Sequence, residues 1–553
     1  MKKFKIIFLL NIVMISYNIY SQDLESISDS KPITIQGSLG LNINSYSSSG
    51  IAARYRPLDY NLLGSVNLSI YGISMPFTAV YSEQERNYTQ PFNQYGISPS
   101  YKWATAHLGW RNISFSPFTL AGHVFLGGGL ELNPGILRFG AIYGRFVKST
   151  LGDSTNFGLF PSTYERNGYS IKLGLGTNTT YVDLIMLRAW DDTNSLAQNY
   201  RESIKAAENL VFGISSKITI IQGLRFELDA ASSLYTLDIR SDDLVESFRI
   251  EALTQFNSFF KLRLSTQLTT ALQSSLVYSG NLFTAKLNYK RIEPDYKSMG
   301  MYYSESDVEN YNISISVPLF QRTLRIGGSI GFQKDNLMNT KSATSNRLIG
   351  SANFSYNQSQ YGFDLNYSSY GITQTRGINP IIDSLKISKI NQSINFTARY
   401  TFGSTESLSN LIFNTSMQAL NDLNPNTKLN SESNNYNVNL TYQQSNTTTG
   451  INYGITINAL QSNFANNNTA FIGPILQFSS PLFGILLSSS LGYQHSFVNS
   501  QDNGGVTTAT ISTTYTFEKQ HNIKFDTNLL ISNTKTTNDF NELRISLGYI
   551  YNF

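Results

Sequence analysis

Cysteine is absent from the 553 residues, which excludes a disulfide framework, a thiolate metal site, a catalytic thiol and an acylated cysteine as lipid anchor. Charge is scarce: 14% of residues are Asp, Glu, Lys or Arg, against roughly 25% in an ordinary soluble domain. The charge that is present is balanced, since the 41 basic residues fall to 38 once Lys2, Lys3 and Lys5 are set aside, against 37 acidic. No basic run or stripe exists to follow a phosphate backbone, so nucleic acid is excluded as a partner. Helical periodicity is missing as well: after the N-terminal apolar run, no segment repeats its apolar residues every 3.6 positions. Long apolar runs are limited to Ile6–Ile15, too short for the roughly 20 residues of a membrane-spanning helix.

That run follows three lysines and precedes Ser21, the layout of a secretory signal peptide over residues 1–21. A short segment, residues 22–31, then leads to the first alternating stretch. In ITIQGSLGLNIN, Ile33, Ile35, Leu39, Leu41 and Ile43 share one face, while Thr34, Gln36, Ser38, Asn42 and Asn44 share the other. The same period of two recurs through Leu210–Ile220, Leu224–Tyr235, Tyr311–Leu319, Leu348–Tyr356, Ile394–Phe402, Ala509–Phe517 and Ile523–Ile531. Residues 32–553 therefore read as all-β, in strands of the 9 to 11 residues that cross a bilayer.

Connections from Tyr311 onward alternate in length: short at Phe320–Thr323, Asn357–Gln360 and Gly403–Glu406, long at Lys334–Thr344, Gly371–Ser388 and Gln418–Glu432. Short periplasmic turns with longer extracellular loops are the rhythm of an outer-membrane barrel. In lipid such a sheet must close, because an open edge leaves backbone groups unpaired. The expectation is one large antiparallel transmembrane β-barrel of about 26 strands, within 22 to 28, the number being even if both termini face the periplasm.

The last residues, LRISLGYIYNF, place Leu547, Tyr549, Tyr551 and Phe553 on one face. In this ending, and in its overall pattern, the chain resembles the outer-membrane β-barrel proteins of diderm bacteria, which commonly finish on a strand with a terminal Phe. The resemblance implies that these four residues form the signal read by the barrel-assembly machinery, and that outer-membrane lipid surrounds the barrel. Within that class, a TonB-dependent transporter would carry a plug domain ahead of its first strand, and a lipopolysaccharide-export barrel would carry a periplasmic domain and cysteines. Neither feature is expected here.

Catalysis finds little support in the sequence. Barrel hydrolases need a His and a Ser on one face, two residues apart or on adjacent strands. Among His107, His123, His495 and His521, only His495 has an adjacent serine, Ser496, and neighbours on a strand face opposite ways. Asp191–Asp192 and Asp242–Asp243 read as solvated loop carboxylates, and the glycines of LGGGLEL precede no helix, so they cannot form a phosphate loop. No catalytic residue, metal or cofactor is assigned.

The polar faces do carry charge. Lys172, Arg225, Glu227, Asp229, Asp364, Arg399, Lys524, Asp526 and Arg544 all alternate with apolar neighbours and are expected to face the lumen. Residues 90–146 interrupt the alternation with Pro, Gly and aromatics and are the candidate for an inward fold that narrows the lumen. The expected function is passage of small solutes, or of a protein or lipid client. The alternative is a non-conducting scaffold of a larger secretion or assembly complex, with partner proteins in the lumen or at the rim.

Overall fold

The computed structural model describes residues 32–553, apart from 84–93, 153–161, 202–203, 244–259, 381, 466 and 537. The expected signal peptide and the segment 22–31 lie outside the described residues. Strands β1 (Ile33–Ser49) to β27 (Phe540–Asn552) follow one another around the sheet, and every pairing between them is antiparallel. The sheet closes where β1 meets β27, from the Ser38 and Asn552 pair to the Ser49 and Asn541 pair. Two short pieces, β4 (Gln94–Ile97) and β5 (Ser100–Tyr101), share one place between β3 (Ile73–Ser82) and β6 (Ala104–Asn112). The 27 segments thus make a closed barrel of 26 wall positions, which returns both ends of the described chain to the same side.

Closure works because the period of two is kept through nearly every strand. Leu39, Leu62, Tyr400, Phe413, Leu476 and Leu547 stand exposed on the outer face, where a soluble protein would lose free energy and lipid removes that cost. Towards the short-turn side the outer aromatics stack in a band, with Tyr515, Phe517, His521, Tyr551 and Phe553 in succession, as suits a membrane interface. The short turns are tight. Tyr71 and Gly72 take φ 46° and 82°, and Phe483 and Gly484 take 52° and 80°, the left-handed pair that a two-residue hairpin needs to match strand twist.

Several strands, among them β6 and β7 (Val124–Leu132), have the 9 to 11 residues expected from bilayer thickness, but the later ones exceed it. From β17 (Ala343–Asn357) to β27 they contain 13 to 17 residues, and even 13 residues at about 3.3 Å per residue and ~40° tilt climb about 33 Å, more than the ~25 Å apolar belt. The surplus lies at the long-loop end, where pairing continues beyond lipid and shortens the loops that the sequence suggested.

Candidate functional site: the lumen and its septum

Twenty-six strands about 4.8 Å apart, tilted by ~40°, close into a circular section of about 50 Å, too wide for wall side chains alone to fill. The inner surface divides into two arcs. Along β19 (Ser388–Gly403), β20 (Ser407–Asp422), β21 (Ser433–Asn446) and β22 (Asn452–Phe464) it is amide and hydroxyl. Asn414 donates to Thr397 at 2.8 Å, Asn439 stands opposite Asn414, and Thr441 and Thr456 share a 2.9 Å bond. These groups bond to one another across the ladder.

The other arc is apolar. On β8 (Leu137–Val147), β10 (Tyr181–Asp192), β11 (Glu208–Ile221) and β12 (Leu224–Thr236), the inward residues Ile142, Phe146, Ile185, Leu187, Ala189, Val211 and Ala231 are buried. Two connections cover them. Residues 113–123, between β6 and β7 (Val124–Leu132), and residues 293–307, between β14 (Thr284–Ile292) and β15 (Val308–Leu319), fold inward and join this wall in one cluster. The first contributes Ile113, Phe115, Phe118 and Leu120, the second Tyr296 and Met299.

Polar bonds fix this septum in place. Tyr296 Oη donates to Phe118 O at 2.5 Å, Ser298 Oγ to Thr119 O at 2.5 Å, and Ala121 N to Gly300 O at 3.0 Å. Asn209, fully buried on the inner wall, donates to Ser233 Oγ and Leu234 O and accepts Met299 N at 3.0 Å. Ser233 in turn donates to Lys297 O at 2.6 Å. His123 closes the first connection: its ring stacks on Tyr302 at 4.2 Å, and its Nδ1–H donates to Val124 O. Burial pulls the His123 pKa down to about 4, with the Arg166 charge acting the same way and the Val124 bond opposing both. The ring is neutral at ordinary pH.

The ladder keeps all nine charged candidates on the polar face of their strands, opposite the apolar residues between which they alternate. Most have close partners. Arg225 Nε meets Glu227 at 2.7 Å, Lys524 meets Asp526 at 3.0 Å, and Lys172 lies 3.7 Å from Glu131 and 4.8 Å over the Phe115 ring. Asp364 accepts from Ser355, Arg399 donates to Thr401, and the Arg544 guanidinium lies 5.3 Å over Tyr55. Asp229 stands opposite Ser215 and Gln273. Leu547 and Tyr549 are exposed on the outer face, Tyr551 packs between His521 and Phe553, and Phe553 exchanges backbone bonds with Gly37 at 2.9 and 3.0 Å.

Of the described residues in 90–146, those in β4 to β8 belong to the wall, and 113–123 are the ones that fold inward. Its companion at 293–307 reads in the sequence as an ordinary long loop. The overlooked signal is in YVDLIMLRAWDD, where Val182, Leu184 and Met186 face out while Ile185, Leu187 and Ala189 face in. A strand apolar on both faces needs cover on both. Two inner ion pairs were also missed, Arg138 with Asp183 and Arg166 with Asp191, both at 2.8 Å. Asp191 is therefore no solvated loop carboxylate: it is buried, bridged to Arg166 and accepts Ala207 N.

No family model and no curated protein matches the sequence. Solved structures that align include OccAB4 of Acinetobacter baumannii, at 10% identity over 94% of this chain and 98% of that one, TM-score 0.27. Another is OccK3 (OpdO) of Pseudomonas aeruginosa, at 9% over 97% and 100%, TM-score 0.31. The translocation pore of the P pilus usher PapC aligns at 8% over 94% and 99%, TM-score 0.39. None of these values speaks to activity.

Proposed function

We propose that this barrel is an outer-membrane passage in which solutes or a client cross along the amide and hydroxyl arc, beside a fixed septum. Export by the N-terminal signal peptide belongs to the same reading, as does assembly through Leu547, Tyr549, Tyr551 and Phe553. The observation that carries it is the one-sidedness of the septum. Among the described residues its buried cluster runs from the connection before β7 to the start of β15, about one third of a section about 50 Å across, and the polar arc opposite has a lining suited to water. The nine charges add no strong field, because five of them sit beside an oppositely signed neighbour, well inside the ~10 Å screening length, and the other four are two acidic and two basic.

Single-channel conductance of the purified, folded barrel in a planar bilayer tests this. Large steady steps with little choice between K⁺ and Cl⁻ are expected. Silence from a folded barrel overturns it in favour of the scaffold reading, which the same width supports: a lumen this broad has room for a partner protein.

A further inference from the structure

On the inner wall below the septum, three side chains from separate strand segments form a continuous relay. Ser98, between β4 and β5, lies directly across from His107 on β6, and Ser98 Oγ is 2.9 Å from His107 Nδ1. His107 Nε2 is 3.2 Å from Glu131 Oε1 on β7, and Lys172 lies 3.7 Å from the other carboxylate oxygen, compensating its charge. A carboxylate only accepts, so Nε2 carries the hydrogen and Nδ1 is left free to accept from the serine. This is a nucleophile, a base within hydrogen-bond reach and a third group that orients the base.

A second feature lies on the same face. Gly96 stands two residues before Ser98, and a Cβ there would be 2.8 Å from Arg111 Cζ, so the guanidinium lies close against that glycine. Arg111 reaches Ile97 O and Thr78 Oγ1, but its buried Nη2 has no hydrogen-bond partner among the described residues. An unpaired guanidinium N–H in such a place costs free energy unless an anion takes it.

We propose that Ser98, His107 and Glu131 form a hydrolytic triad in the lumen, acting on small carboxylic esters that carry an anionic group held by Arg111. Ser98 Oγ attacks the ester carbonyl carbon while its proton passes to His107 Nδ1. Collapse of the tetrahedral adduct breaks the bond to the alcohol oxygen, which leaves with that proton and gives an acyl serine. Water then attacks the acyl carbon, its proton passing through the same nitrogen, and the carboxylic acid departs as Ser98 is restored. Ser98 and His107 are the catalytic residues. Glu131 positions the imidazole, and Lys172 supports Glu131. Conduction and hydrolysis are separable, so a silent barrel can still carry this activity.

The test uses the full folded barrel in detergent, with folding checked by heat-modifiable migration. A fluorophosphonate is expected to label Ser98 in the wild-type protein, located by peptide mass. Hydrolysis of p-nitrophenyl succinate is expected to fall roughly 10²–10⁴-fold in Ser98→Ala and His107→Gln, the range a positioned general base supplies. Arg111→Gln is expected to raise KM for the succinyl ester more than for the neutral butyrate, and Glu131→Gln to lower kcat and move its pH profile. An unlabelled Ser98 in folded wild-type barrel overturns the triad whether or not any variant folds, as does turnover that survives Ser98→Ala. Equal KM changes for both esters in Arg111→Gln overturn the anionic substrate.

Discussion

Acid should loosen the septum through His123, and the size of the effect follows from its burial. The ring is 3% exposed, stacked on Tyr302 and beside Phe146, with Arg166 as the charge acting on it and Val124 O as its acceptor. With the septum closed the pKa is about 4, against 6.5 for the imidazole in water. An opened loop therefore takes up its proton below 6.5 and a closed one only near 4, so the contribution is complete above 6.5 and is lost as pH falls through that window. Each unit of pKa difference is worth about 1.4 kcal/mol, so the whole window weakens closure by about 3 kcal/mol, a roughly 10²-fold increase in opened septum. Hydrogen exchange of the peptide covering 113–123, corrected for intrinsic rates and compared between pH 7.5 and 4.5, reads this directly. His123→Phe keeps the ring without the charge and should remove most of the acid effect. Protection unchanged by acid, or an effect equally large in His123→Phe, would refute the reasoning, since carboxylates such as Asp191 would then account for any loosening.

Three further outcomes are expected. Gly300→Ala puts a Cβ into Leu187 Cδ1 and within 2.6 Å of Thr119 O; overpacking of this kind costs about 1–3 kcal/mol, and limited proteolysis should cut 113–123 or 293–307 faster while the wall resists. Deleting Phe553 removes two backbone bonds to Gly37 at the β1 and β27 seam, each worth about 0.5–1.5 kcal/mol, and should lower the temperature at which the barrel loses its compact electrophoretic form. Lys524→Gln leaves Asp526 without its 3.0 Å partner, so reversal potentials in a salt gradient should shift towards cation preference, and no shift would mean that this pair lies off the conducting path.

The wall was legible in the sequence because its rule is local. Leu224, Phe226 and Leu228 against Arg225, Glu227 and Asp229 decide their faces by position alone, whatever the neighbouring strands do. Strand ends were less legible, since ladder pairing above the lipid depends on the partner strand and leaves only a weak mark in composition. The inner ion pairs escaped for a related reason: Arg138 and Asp183 stand 45 residues apart and meet only through β9 (Glu165–Gly176), so no spacing rule along one strand finds them.

Ser98 and His107 show the same limit at closer range. A search for a serine two residues from a histidine asks about one strand, whereas antiparallel pairing brings residues nine apart face to face across a hairpin. The hairpin is legible here, because Lys102, with φ 50°, and Trp103 make its turn, and counting outwards from that turn pairs Tyr101 with Ala104 and Ser98 with His107. The septum could have been found by a similar step. Alternation with a polar inner face means water in the lumen, and β10 breaks that rule with Ile185, Leu187 and Ala189 while β11 breaks it with Val211. An apolar patch inside a wide aqueous barrel requires cover, and among the described residues that cover comes from the barrel's own connections. The Pro, Gly and aromatic residues of 113–123 mark one of them, and the second, 293–307, holds Tyr296 and Met299 among charges and glycine, where composition alone gives no warning.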